Sequence, residues 1–178
     1  TWAQSMNIEA DSDYMLFGCY DCSKKNLKCR LSLSEVEAVV TSQCESGAYV
    51  DKLFTEASNK RLDENQPICS VCSASICISN QGNVYPCEGW QGYSVGSILE
   101  SSLLDIWRSS ERVLMLRKLK LGDFPQCVSC DYIRYCSPCL YRNANENSGD
   151  FHKVSPYFCK VAELQKRVVE QEICKRNN

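Results

Sequence analysis

Fourteen of the 178 residues are cysteine, and nothing else in the sequence restricts the chain as much. Thiols at this density either pair as disulfides or bind metal, and the redox compartment decides between the two. Secreted disulfide scaffolds are usually shorter and carry a secretory leader. The first residues here, TWAQSMNIEADSDYMLFG, have no basic stretch followed by an apolar one. They also lack a starting methionine, so the expectation is a piece of a longer protein. Metal or iron–sulfur ligation in a cytoplasmic protein is the favoured reading; a disulfide scaffold and a non-catalytic zinc-binding structural module are the competing ones. A net charge of −2 without a polybasic run argues against nucleic acid or an anionic membrane surface as partner. No apolar run approaches the ~18 residues of a membrane span.

The densest stretch is CVSCDYIRYCSPC, from Cys127 to Cys139. A zinc ribbon separates its two CxxC pairs by roughly 15–20 residues, whereas only five separate Cys130 from Cys136. Iron–sulfur runs accept close-set cysteines, with three on one cluster and the fourth on another. That precedent splits the stretch: Cys127, Cys130 and Cys136 serve one site with a remote fourth ligand, and Cys139 turns to a second. Cys159 and the upstream Cys69, Cys72, Cys77 and Cys87 are the remote candidates. Cys72 and Cys87 flank an expected hairpin, with NQGN (80–83) as its turn signal. Cys69 is favoured to complete that site, with Cys77, a mid-strand position suited to a small core residue, as its rival.

The remaining pattern predicts an α+β chain. DYMLFGCYD (13–21) has the pattern of a short strand. Ser32 and Glu35 have the spacing of a capping box, with Val36, Val39 and Val40 on one helical face. Val50, Leu53, Phe54 and Ala57 give a second helix. Residues 92–122 are expected to be helical in two pieces, with Leu104, Ile106, Trp107, Val113, Leu114 and Leu116 supplying apolar faces, ended by Gly122 and Pro125. Residues 123–159 are expected to be irregular. A final mixed-charge helix (160–177) sets Val161, Leu164, Val168 and Ile173 on one side.

Cys72, Gly82 and Cys87, then Cys127-x2-Cys130-x5-Cys136-x2-Cys139, then Cys159, together with the intervening GYSVGSILESSLLDIWRSS and the later NENSGD, resemble the SPASM domain. That domain is the C-terminal auxiliary-cluster extension of radical S-adenosylmethionine (SAM) enzymes, and the likeness covers roughly residues 66–160. Residues 1–65 more weakly resemble the last strand–helix units of the partial (β/α) barrel in those enzymes. The pattern departs from the family at the two-residue gap after Cys136, where three are frequent. The CxxxCxxC motif of the SAM-cleaving cluster is absent from these residues.

The resemblance implies the end of a barrel (1–65), a cysteine-rich domain with a β-hairpin and helices (66–159) and a terminal helix (160–178). It implies two [4Fe-4S] clusters, one on Cys69, Cys72, Cys87 and Cys139, the other on Cys127, Cys130, Cys136 and Cys159, with zinc as a possible substitute. It implies a C-terminal fragment of an oxidoreductase that modifies a peptide or protein. Such a fragment would be inactive without the N-terminal barrel that binds SAM and generates a 5'-deoxyadenosyl radical. The auxiliary clusters would accept or relay an electron, exchanged with an external donor or acceptor, and the domain would close the substrate site. Glu88, beside Cys87, matches a carboxylate assigned as the substrate-deprotonating base in the sulfatase-maturase branch. Cys19, Cys22, Cys29 and Cys44 match no ligand spacing and read as ordinary positions. Cys174, His152, Trp90, Tyr93 and Trp107 read as surface or packing residues.

Overall fold

The computed structural model describes residues 2–8, 13–21, 23–45 and 47–177. Beyond a short turn of helix, α1 (Trp2–Ser5), it has two helices, α2 (Leu33–Cys44) and α3 (Ala48–Asn59). The chain then enters a three-stranded antiparallel sheet in the order β1 (Cys77–Ile78), β2 (Asn83–Tyr85), β3 (Gly96–Ser97). The short helices α4 (Leu103–Ser109), α5 (Glu111–Lys118), α6 (Pro125–Val128) and α7 (Leu140–Glu146) follow. The chain ends in the long helix α8 (Pro156–Arg176). The result is mixed helix and small sheet, consistent with the α+β expectation.

The start of α2 follows directly from its sequence. Ser32 accepts from the Glu35 N–H, and Glu35 reaches back to the Ser32 N–H at 2.8 Å, so two orphan donors of the first turn are satisfied reciprocally. Val36 and Val40 are fully buried. The hairpin also forms, with Cys77 opposite Tyr85 and Ile78 opposite Val84. Gly82, at φ +81, turns the chain between the strands where an L side chain would be strained.

Several expectations are corrected. Residues 13–19 form no strand. Carbonyls that a ladder would need are taken by side chains: Asn26 donates to the Phe17 carbonyl, Arg30 to that of Leu16 and Asn145 to that of Cys19. The segment 92–102 is not helical. It supplies β3, because the Val95 N–H continues the ladder onto the Val84 carbonyl at 2.8 Å. Phe54 and Leu104, expected on apolar faces, are exposed at 38% and 54%; α3 and α4 are covered on one narrow side only. Residues 140–146, expected to be irregular, form α7, and α8 begins at Pro156 rather than at 160. Proline at the first helical position lacks the N–H that would be orphaned there.

Two apolar cores result. One lies under the sheet and the short helices, around Val84, Val113, Leu116, Phe124 and Leu140. The other joins α2 and α3 to α8 through Val36, Val40, Val50, Val161 and Val169. The terminal helix therefore shares its core with the N-terminal helices. Glu146 at the end of α7 ties the two parts together, pairing with Arg30 and accepting from the Ser155 hydroxyl at 2.9 Å. Among the described residues no helix is long and apolar enough to cross a membrane.

Candidate metal centre

The first group of thiols is built on the turn before β1 and the tight loop after β2. Ser73, Ala74 and Ser75 all donate their N–H groups to the Ser70 carbonyl, at 2.9–3.1 Å. The Cys72 N–H bonds back to the Ser75 carbonyl at 2.9 Å. This wraps the chain so tightly that Cys72, a non-glycine residue, sits at φ +55. Cys87 leads into a turn in which the Trp90 N–H reaches the Cys87 carbonyl at 3.1 Å. Cys139 sits immediately before α7 as its N-terminal flank.

These four cysteines are close enough to act on one another electrostatically. Burial pushes the Cys69 thiol up; the Val71 and Leu140 N–H groups pull it down, and nearby Cys139 raises it. Burial pushes Cys72 up to about 11, opposed by Arg117 and reinforced by Cys69 and Cys87. Cys87 is raised by burial, opposed by the Gly89 and Trp90 N–H groups, and raised further by Cys139 and Cys69. Each thiolate formed here would disfavour the next until a metal neutralises them.

The second group spans α6, the 3₁₀ turn Ile133–Tyr135 and the first turn of α8. Pro125 opens α6 and places Cys127 inside, 9% exposed. The Cys130 sulfur accepts the Tyr132 N–H at 3.4 Å. Burial raises Cys127 to about 11, with Cys136, Cys159 and Cys130 adding to it. Burial also raises Cys136, where Arg142 and Lys60 oppose and Cys159 and Cys130 add. Cys159 is raised by burial and by Cys130. A cavity of about 40 Å³ is lined by Cys127, Cys136 and Cys159 of this group together with Cys139 of the other.

Cys69 feels Cys139 and acts in turn on Cys72 and Cys87. Cys77 lies on strand β1 opposite Tyr85, and it is not among the groups that act on the Cys69, Cys72 and Cys87 thiols. Cys22 lies outside the described residues. Cys19 is partly buried, Cys29 exposed and Cys44 buried on α2, where Glu172 and Arg176 of α8 are its charged neighbours. No disulfide joins any of the described cysteines. Glu88 is exposed beside Cys87, its carbonyl accepting from the Gln91 side chain at 3.2 Å. Trp90 is buried, stacked on Tyr93 at 5.0 Å and edge-on to Phe151; it packs the wall behind Cys87. His152 is exposed and stacks on Phe124.

As a donor set, each group offers four sulfurs and no imidazole or carboxylate, the soft ligation that iron–sulfur clusters use. Among the described residues no three Cys, His, Asp or Glu side chains converge on the spacing of a single metal ion. Spacing and residue type had pointed to the thiols; they had not pointed to Arg117, Lys60 and Arg142, the cations that face them. Those carry no motif and come from separate elements. Lys60 lies outside the cysteine-rich region altogether.

Searches for a curated protein or a solved structure similar to the chain find no match. Residues 69–140, which hold seven of the eight cysteines in the two groups, match the family model of SPASM, an iron-sulfur cluster-binding domain.

Proposed function

We propose that the chain is the auxiliary-cluster part of a radical SAM enzyme that modifies a peptide or protein. In this reading it holds two [4Fe-4S] clusters, one on Cys69, Cys72, Cys87 and Cys139 and one on Cys127, Cys130, Cys136 and Cys159. The observation that carries the reading is the gathering of eight thiols, drawn from four separated stretches of chain, into two all-sulfur groups, seven of the eight within an iron–sulfur family match. Bound clusters of this kind supply one-electron transfer. The protein's part is to fix the sulfurs, bury them and surround them with N–H donors and cations. The partner barrel carrying CxxxCxxC, the SAM it would bind and the peptide substrate rest on the resemblance and belong to the proposal. Glu88, exposed next to the first group, is the side chain we assign to receive the substrate proton once barrel and substrate cover it.

Anaerobic reconstitution tests the reading. About eight iron and eight sulfide per chain, with broad absorbance near roughly 400 nm, are expected for two such clusters. Stoichiometric zinc without sulfide after the same treatment would overturn it and leave a zinc module.

A further inference from the structure

Three half-buried cations stand beside the two thiol groups, and among the described residues none of them has a carboxylate partner. Arg117 donates through Nε to the carbonyl of Cys72 at 2.8 Å and through Nη2 to that of Trp107 at 2.7 Å, its guanidinium 4.4 Å from the Trp107 ring centroid. Lys60 donates through Nζ to the carbonyls of Ile133, at 3.1 Å, and Cys136. Arg142 donates to the Ser137 carbonyl at 2.7 Å. Taking a cation out of water without an anion is costly. The negative groups at hand are the thiolates, and a cluster held by four of them carries net negative charge that grows on reduction. A neighbouring cation stabilises the reduced form more than the oxidised one and so raises the potential.

We propose that Arg117 and Lys60 are positioning residues that set the reduction potentials of the two iron–sulfur sites separately, Arg117 for the Cys72 group and Lys60 for the Cys136 group. The inference rests on the cluster reading above. The assignment is one-to-one because Arg117 and Lys60 each bond the main chain of a cysteine in one group only, whereas Arg142 bonds Ser137 and no cysteine carbonyl. Lys60 is further held by a reciprocal clasp: Arg134 returns hydrogen bonds to the carbonyls of Ala57, at 3.3 Å, and Lys60 itself, at 2.6 Å. The end of α3, outside the family match, thereby becomes part of the surroundings of the second site.

The test is an EPR-monitored redox titration of the reconstituted full chain. Lys60→Gln is expected to move one of two reduction waves to lower potential and Arg117→Gln the other. Each shift is expected at about tenfold in the oxidised-to-reduced equilibrium, ~59 mV for one electron. Lys60→Arg, which keeps the charge, is expected to leave its wave in place. Lys60→Met is a second neutral variant that keeps the aliphatic stem. Unmoved waves in variants with full iron, or both variants moving the same wave, would overturn this inference and leave the cluster reading standing. Loss of iron from both neutral Lys60 variants would make the role structural and overturn it as well. A wild-type chain that binds no iron–sulfur cluster removes the cluster reading and this inference together.

Discussion

Cys72 illustrates what a single residue gives up to reach its place. A left-handed backbone at a non-glycine residue costs roughly 1–2 kcal/mol, and it persists here because the Ser70 carbonyl collects three N–H groups around it. Strain of that kind gathers at functional sites, and Cys72 is the most deeply buried thiol of its group. Gly89 is a second position with no room to spare. A Cβ there would lie 2.8 Å from the Tyr141 ring, so Gly89→Ala is expected to cost about 1–3 kcal/mol by overpacking. Because Gly89 follows Cys87 by two residues, the same substitution should lower iron retention. Denaturant unfolding and iron analysis check both. On the proposed function, Glu88→Gln separates chemistry from ligation: full iron content is expected in this chain, with loss of product formation once it is joined to its barrel and substrate, and unchanged turnover there would remove Glu88 from the mechanism. The thiols were legible in the sequence because ligand type and spacing are chemical requirements written locally. Phe54 and Leu104 are exposed despite their helical spacing, because periodicity marks a face without saying whether anything covers it.

At the scale of elements, helix α2 is the part of the fold most fully written in its own residues. Its capping box needed four consecutive residues and no tertiary context. Ser32→Ala is expected to destabilise the protein by about 1 kcal/mol, measurable as a lower thermal midpoint at neutral pH. The hydrogen bonds from Ser32 hold the Glu35 carboxyl below its ordinary value. Its contribution is therefore present above the unfolded-state pKa of about 4.3. It is lost as pH falls through the lower folded-state value, where the carboxylate takes a proton. The gap between wild type and Ser32→Ala should narrow below about pH 4. The stretch 13–19 is the opposite case. Its residues have strand character, but a strand needs a neighbour, and its carbonyls are claimed by Asn26, Arg30 and Asn145 instead. Strand β3 was hidden for the same reason, since Gly96 and Ser97 have poor strand propensity and are recruited by β2. At Gly82, alanine combines left-handed strain with a Cβ 3.0 Å from Leu99; a loss of about 1–2 kcal/mol is expected, with the hairpin affected first in hydrogen exchange.

Across the whole molecule, α8 does two jobs that the sequence shows only separately. Its first turn carries Cys159 into the second thiol group, and its later turns bury Val161, Val168 and Val169 against α2 and α3. Val169→Ala is expected to cost about 2 kcal/mol while leaving iron content unchanged, because Val169 faces the helical core. Truncation before Pro156 should remove one cluster and also lower the helical signal of the N-terminal half, observable by iron analysis and circular dichroism. Charge pattern and apolar spacing identified α8 as a helix. They could not say that its partners lie about 120 residues earlier in the chain, because long-range packing leaves little local trace.

The interleaving of the two groups has a consequence for how such a chain is made. Cys69, Cys72 and Cys87 leave the ribosome early, yet their fourth companion, Cys139, arrives only after Cys127, Cys130 and Cys136 have emerged. That trio in turn waits for Cys159. On the proposed ligand sets, iron cannot be fully delivered to the first centre until three sulfurs of the second are already exposed beside it. Ser137 and Pro138 alone separate the two in the chain. Biogenesis would then favour a single late delivery window over piecemeal loading, and a chain arrested before Cys159 would present three unclaimed thiols to whatever oxidant reaches it first.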